Sequence, residues 1–325
     1  MVARAWDRVD GKRLGASAPR VEGRGGVEEM FVQNDAVSLC LLINRRTRTM
    51  RVIDFRAGPS YAKRLFVLKL ARRERIEKVY TLVERDEVST WVKLGFTKEA
   101  NIPGFYKRSD AFVLGSLVDD EALAAQPQMP SIDDDDIDAE IVTKAPSPAQ
   151  ERMEKTLVSA KKQAKELLDR PLVPTKLAVL READVKKVID RHVRSGRALT
   201  AFEPFGRDVE RRWFSLTARG GFELVASTEA QSCFGNAFLE LLTGPKTESE
   251  RLATISSLRT LCDKLLAEGV VSCFAMAPSD DVALATAFVF NGFRRTGLLE
   301  NHLVVGGARK DAIVWSRKLA NPTDE

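Results

Sequence analysis

Histidine is nearly absent from this chain, with only His192 and His302 among 325 residues. Cysteine is almost as scarce: Cys40, Cys233, Cys262 and Cys273 form no CxxC pair and have no His-rich neighbourhood. These shortages argue against a zinc site. Three of the cysteines lie in apolar runs, where cysteine behaves as a small core hydrophobe, and reduced thiols in a cytosol are the simplest account. No run approaches the roughly 18 apolar residues of a membrane span, so no transmembrane helix is expected. The stretch Met1 to Gly26 lacks the apolar centre of a secretory signal. It mixes Arg4, Arg8, Lys12 and Arg13 with Asp7, Asp10 and Glu22, and residues 1–28 read as a flexible arm, with a nucleic-acid arm as the alternative. The two signs of charge nearly cancel, 51 Lys and Arg against 46 Asp and Glu. A net +5 permits phosphate contacts without pointing to a nucleic-acid protein. A cytoplasmic protein is the expectation.

The chain does have the balance of a globular protein, 44% hydrophobic and 30% charged, and its 325 residues favour two domains. Val37–Asn44 is an apolar run and Thr49–Phe55 alternates, so both read as strands. Gly58-Pro59 stops the second. Ser60 is placed to cap a helix over Tyr61–Arg75, whose Leu65, Phe66, Leu68 and Leu70 would face a sheet. Glu77–Val83 reads as a strand and Glu84–Leu94 as a helix. From Val118 the composition turns to Ala, Gln and Pro around the acidic run Asp133–Asp136, a linker with too little apolar surface to offset its ordering entropy. Ala149–Leu168 is strongly helical and a candidate bridge between domains. Beyond it the spacing predicts a helix over Glu182–Ser195 and strands over Arg212–Thr217, Phe222–Ser227 and Asn236–Leu242. A helix over Glu248–Glu268, a strand over Val270–Ala277, a helix over Asp281–Asn291 and a hairpin of Arg294–Val305 with Lys310–Leu319 complete the series. His192, beside Arg191 and Arg194, is expected on the solvated side of its helix. The expected domains are 29–118 and 171–320, joined by the linker 119–148 and the helix 149–170. Each is α/β (α+β), a mostly antiparallel sheet flanked by helices.

Part of this pattern occurs twice. Gly95-Phe96 ends an amphipathic segment carrying Trp91, Val92 and Leu94, and Gly292-Phe293 ends another over Val282–Phe293. Asp110-Ala111-Phe112-Val113 has its counterpart in Asp311-Ala312-Ile313-Val314. Asp54-Phe55-Arg56-Ala57-Gly58-Pro59 stands opposite Glu240-Leu241-Leu242-Thr243-Gly244-Pro245. The shared order reads as a duplicated domain. The first copy is short, because little before Val37 can supply an opening strand and helices.

Trp91-Val92-Lys93-Leu94-Gly95-Phe96, then Ile102-Pro103-Gly104-Phe105-Tyr106, then Asp110-Ala111-Phe112-Val113-Leu114 resembles the C-terminal half of GNAT-superfamily N-acetyltransferases. The flavour is that of bacterial lysine or β-lysine and N-terminal-alanine acetyltransferases. The resemblance covers roughly 37–117 and, more faintly, 182–319. It implies two central strands that splay so that the pantetheine of acetyl-CoA bonds to exposed backbone. It also implies a helix whose N-terminus meets the pyrophosphate. In this sequence that segment is Phe55, Arg56, Gly58, Ser60, Lys63 and Arg64, with Trp91 on the following helix. The family's Gln/Arg-x-x-Gly-x-Gly/Ala turn is missing from both copies. In the first, Lys63 and Arg64 could replace backbone contacts with charge. In the second, Glu248 and Glu250 would repel a phosphate, so that site looks closed. The family's tyrosine acid is replaced by Trp91 and Phe288, neither of which can protonate a thiolate. Asp54, matched by Glu240, and Glu84, matched by Asp281, are candidates for handling the amine proton, and Tyr106 is a candidate substitute acid. The bland alternatives are a solvent-facing strand position for Asp54, capping duty for Glu84 and Asp281, and packing at the sheet end for Tyr106.

Three functions therefore stay open. One is an acetyl-CoA-dependent N-acetyltransferase acting on an amine-bearing small molecule or protein at the first domain. The second is a catalytically silent paired-GNAT protein that senses acyl-CoA or engages a protein partner or a second copy. The third, least favoured, is a nucleic-acid binder using Arg45, Arg46, Arg48, Arg72, Arg73 and Arg75.

Overall fold

The computed structural model describes residues 8–9, 12–13, 20–22, 27–33, 37–55, 61–106, 109–119, 147–196, 199 and 211–320. The acidic run at 133–136, and most of the linker and arm, lie outside them. The described residues form two compact units. One comprises those up to Lys98 together with Phe112 onward to Asp119. The other comprises Glu99–Ala111 together with the residues from Ser147 onward.

In the first unit β1 (Val27–Gln33), β2 (Ser38–Asn44) and β3 (Thr49–Asp54) form an antiparallel meander. A three-residue strand, Arg20–Glu22, pairs antiparallel with β1 on its outer side. After α1 (Tyr61–Arg73) the chain enters β4 (Lys78–Val83), parallel to β3. It continues through α2 (Arg85–Lys93) and β5 (Thr97–Ile102), whose residues from Glu99 onward count with the second unit, to β6 (Ala111–Leu117), which is antiparallel to β4. β1 precedes Val37, where no strand was expected. Its charged Glu28 and Glu29 mask an alternation that buries Val27, Met30 and Val32. α1 buries a different face from the one expected. Its buried residues are Lys63, Arg64, Val67, Leu68, Leu70 and Ala71, whereas Leu65 and Phe66 are half-buried. The 63–67–71 and 64–68 spacings carry this face into the charged first turn.

The second unit opens with α3 (Pro148–Glu166). Pro148 occupies its first turn, and Ser147 and Gln150 cap each other in a capping box. Met153, Leu157 and Ala160 of α3 sit in this unit's core. The next elements are β7 (Thr175–Leu180), unexpected from sequence, α4 (Glu182–Arg194), β8 (Arg211–Ala218), β9 (Phe222–Gln231) and β10 (Asn236–Leu241). After α5 (Glu248–Ala267) come β11 (Ser272–Pro278), α6 (Val282–Phe290), β12 (Arg294–Val305) and β13 (Ala308–Lys318). β7 to β10 are antiparallel, β10 and β11 are parallel, and β13 pairs antiparallel with both β11 and β12. His192 is buried and lies 3.2 Å from Glu223 rather than in solvent, because Val185, Ile189 and Trp213 draw that side of α4 onto the sheet.

The two units therefore share a strand order, and the sequence repeats have matching local structure. Gly95 (φ 82°) and Gly292 (φ 76°) take the left-handed conformation that ends a helix. The next residue's amide then reaches back: Phe96 N–H donates to Trp91 O and Phe293 N–H to Phe288 O, each at 3.0 Å. In each case the paired rings meet edge to face, at 4.8 Å and 5.0 Å between centroids. The aspartate of each Asp-Ala pair holds its own hairpin. Asp110 accepts from the Gly104 amide at 2.8 Å, and Asp311 from the Asn301 amide at 2.9 Å. One difference is equally plain: four residues separate Arg20–Glu22 from β1, too few for a counterpart of α4.

Because Phe293 anchors this ring clasp from a buried position, Phe293→Ala should lower stability by about 3–5 kcal/mol. Urea unfolding of the full chain measures this, and a loss under about 1 kcal/mol would mean the clasp carries little of the packing.

Candidate functional site

The parallel strand pair of each unit is short. β3 and β4 pair over Thr49↔Lys78, Met50↔Val79, Arg51↔Tyr80 and Val52↔Thr81, and there the ladder between them ends. The strands run on as Ile53-Asp54 and Leu82-Val83. Their outer neighbours still hold them, Asp54 opposite Leu39 and Leu82 opposite Val113. Thr81 marks the parting point by donating its hydroxyl to Val52 O at 2.9 Å. β10 and β11 do the same: four pairs end at Leu239↔Ala275, while β10 continues to Leu241 and β11 to Pro278. Each sheet thus opens as a wedge toward the helix that follows its first parallel strand.

The two helix starts behind these wedges differ. The first turn of α1 carries no acidic residue. That of α5 carries Glu248 and Glu250, and the Glu250 carboxylate accepts the Lys246 amide at 2.7 Å. A carboxylate there satisfies the partial positive charge that would attract a phosphate. Leu199 adds a steric cover. Its amide donates to Leu242 O at 2.9 Å, and its side chain lies 3.1 Å from where a Cβ on Gly244 would stand.

Of the residues singled out from the sequence, Arg56, Gly58 and Ser60 lie outside the described residues. Phe55, at the mouth of the first wedge, is 56% exposed, an unusual position for a large aromatic ring. Asp54 is not solvent-facing. It forms an ion pair with Lys63, and both side chains are almost fully buried. Arg64 is buried too and donates from Nε to Leu94 O at 2.6 Å, closing the C-terminal end of α2. Lys63 and Arg64, expected to face a phosphate, thus have internal partners in Asp54 and Leu94 O. Trp91, 1% exposed, belongs to the core beneath the sheet. Tyr106 sits in the second unit, edge-on to Phe105 and Phe234 at 4.9 Å and 5.8 Å.

Glu84 is exposed at the N-cap of α2 and makes no side-chain capping bond, whereas Asp281 caps α6 by accepting from the Leu284 amide at 2.9 Å. The capping alternative thus describes Asp281 but not Glu84. One carboxylate escaped the sequence reading. Glu87, one turn into α2, has its pKa raised above the ordinary 4.5, first by burial and then by the charges of Asp86, Asp54 and Glu84. Its position three residues after Glu84, on the face that buries Val88 and Trp91, was the available signal. In the second unit Glu240 is buried and ion-paired with Arg211, and Ser227 donates to its carboxylate at 3.2 Å.

Three of the six arginines in the first unit's cluster form ion pairs within it. Arg45 pairs with Glu28 and Glu74, Arg48 with Glu77, and Arg73 with Glu74. Among the described residues no group of three or more His, Cys, Asp or Glu could hold a metal ion, and no helix is long and apolar enough to cross a membrane.

No family model and no curated protein matches the chain. Solved structures similar to it are GNAT-superfamily N-acetyltransferases. The ribosomal-protein-S18-alanine N-acetyltransferase from Escherichia coli is 18% identical, with a TM-score of 0.37 over 46% of this chain and 97% of that one. A dodecameric spermidine N-acetyltransferase from Vibrio cholerae is 12% identical, with a TM-score of 0.36 over 45% and 94%. A putative acetyltransferase from Sphaerobacter thermophilus is 14% identical, with a TM-score of 0.35 over 46% and 99%. Any case for a function therefore rests on the geometry of this chain.

Two outcomes follow from the first wedge. Lys63→Met should cost about 3–5 kcal/mol in urea unfolding, because it strands a buried carboxylate. The double variant Asp54→Asn/Lys63→Met should cost less than the single one, and equal costs would mean the ion pair is not coupled. For Glu87 the folded state binds its proton more tightly than the unfolded state does. Its contribution is therefore retained below pH 4.5 and lost as pH rises through the raised folded value. Glu87→Gln should remove that decline, and an unchanged pH profile would contradict the burial argument.

Proposed function

We propose that this chain is an acetyl-CoA-dependent N-acetyltransferase of the GNAT type that works at the first unit, with the second unit a related but closed partner. The observation that carries the reading is the contrast between two similar wedges. One lies before a helix start without acid, and the other before a helix start already occupied by Glu250 and covered by Leu199. The first fits an acyl-CoA. Backbone at Ile53–Phe55 and Leu82–Val83 would hold the pantetheine, the N-terminal end of α1 the phosphates, and the exposed Phe55 ring would add apolar contact. The second does not fit, since a bound phosphate would have to displace a carboxylate.

Acetyl-CoA, when bound, supplies an activated thioester. The chain's own contribution is to receive an amine and take its proton. Glu87, with its raised pKa and within the influence of Asp54 and Glu84, is the group assigned to that transfer, directly or through a water. Asp54 is assigned to positioning, since Lys63 already engages it. The same carboxylates would attract a cationic acceptor, so a small amine or the amino group of a protein is the substrate class.

A second reading, a silent acyl-CoA sensor, draws support from the two aromatic residues nearest the family's acid. Trp91 is a core residue, and Tyr106 is held in the second unit. Calorimetric titration with acetyl-CoA, followed by turnover on an amine panel, separates the readings. The enzyme reading expects saturable binding and a turnover that falls by about 10²-fold or more in Glu87→Gln while binding persists. Binding without turnover on any amine would select the sensor. Absence of binding would remove both.

A further inference from the structure

The chain leaves the first unit after Lys98, contributes Glu99–Ala111 to the second unit, and returns at Phe112. The tip of this excursion is a preformed shape. Pro103 and Gly104 stand at the central positions of a turn with the residue types of a type II turn, Gly104 at φ 64°, closed by Phe105 N–H to Ile102 O at 3.4 Å. Asp110 holds the turn through the Gly104 amide, and Tyr106 N–H donates to Ser109 O at 3.1 Å.

Three features of the second unit receive it, and they come from different elements. From the turn before β10, Phe234 meets both tip rings, while Phe274 of β11 packs on Phe105 at 5.7 Å. Asn236 at the start of β10 is 1% exposed and spends its side-chain amide on the Phe105 carbonyl at 2.5 Å. On β12, Gly297 pairs with Ala100 so closely that a Cβ at position 297 would lie 2.2 Å from the Ala100 Cβ and 2.4 Å from the Glu99 carbonyl oxygen. No side chain larger than hydrogen fits there without moving backbone.

We propose that the second unit is a receptor for this turn. Its recess, formed by Phe234, Asn236, Phe274 and Gly297, recognises a Pro-Gly-Phe-Tyr hairpin tip. The occupant is the chain's own Glu99–Ala111 segment. The recess reads the tip through a backbone carbonyl, two stacked-edge aromatic rings and a glycine gap, a combination specific to a turn with aromatic residues after its glycine. The stability of the second unit therefore depends on sequence that lies in the first half of the chain. The inference is independent of any acetyl transfer.

Hydrogen exchange on the full chain tests it. Gly297→Val should raise exchange by about tenfold or more in peptides spanning 99–106 and 236–241, while β2 keeps its wild-type protection. Phe105→Ala/Tyr106→Ala, which leaves β12 untouched, should raise exchange in 236–241 and 272–278 in the same way. It thereby guards against simple misfolding at Gly297. The proposal is overturned if 236–241 and 272–278 keep wild-type protection in the double variant, or if the hairpin stays protected in Gly297→Val.

Discussion

The proposed site depends on a parallel strand pair that stops pairing after four rungs. Ending a ladder inside a sheet forgoes backbone hydrogen bonds worth about 1 kcal/mol each and leaves polar groups that need other partners. The two strands tolerate this because each is fastened on its outer side, β3 by the meander of β1 and β2 and β4 by β6. The wedge is thus a property of the whole sheet, and the side chains near it decide only what it can accept.

That decision differs between the units through charge placed at one helix start. In the second unit Glu250 accepts the Lys246 amide at the start of α5, Leu199 lies against Gly244, and Arg211 neutralises Glu240 on the strand. In the first, the strand carboxylate is matched by Lys63 on the helix itself. Burying that pair is costly, and its net contribution to stability is small. Burial, the charge of Asp86 and then that of Asp54 act together to raise the pKa of Glu87.

Much of the architecture was legible because its signals were local. Val37–Asn44, Thr49–Phe55 and the two Gly-Phe helix ends each follow from a short pattern, and the structure supplies a reason for each. Each glycine takes a left-handed conformation, and each phenylalanine turns back onto the ring five residues earlier. The Asp-Ala pairs were visible as repeats, but their role in accepting hairpin amides was not. What escaped detection depends on long-range contact. β1 carries Glu28 and Glu29 within its alternation, and β7 is held through its pairing with β8, a contact far away in sequence. Lys63 and Arg64 read as surface cations because their partners, Asp54 and Leu94 O, lie 9 and 30 residues away in sequence. Tyr106 was judged by its place in the first repeat, whereas its rings and hydrogen bonds belong to the second unit.

The central claim, one wedge that accepts an acyl-CoA and one that is closed, is tested most directly by hydrogen exchange with and without acetyl-CoA. The account predicts slower exchange at 53–55 and 82–84 on addition of acetyl-CoA, and no change at 240–243 and 276–279. Protection appearing at the second set, or at neither, would contradict it.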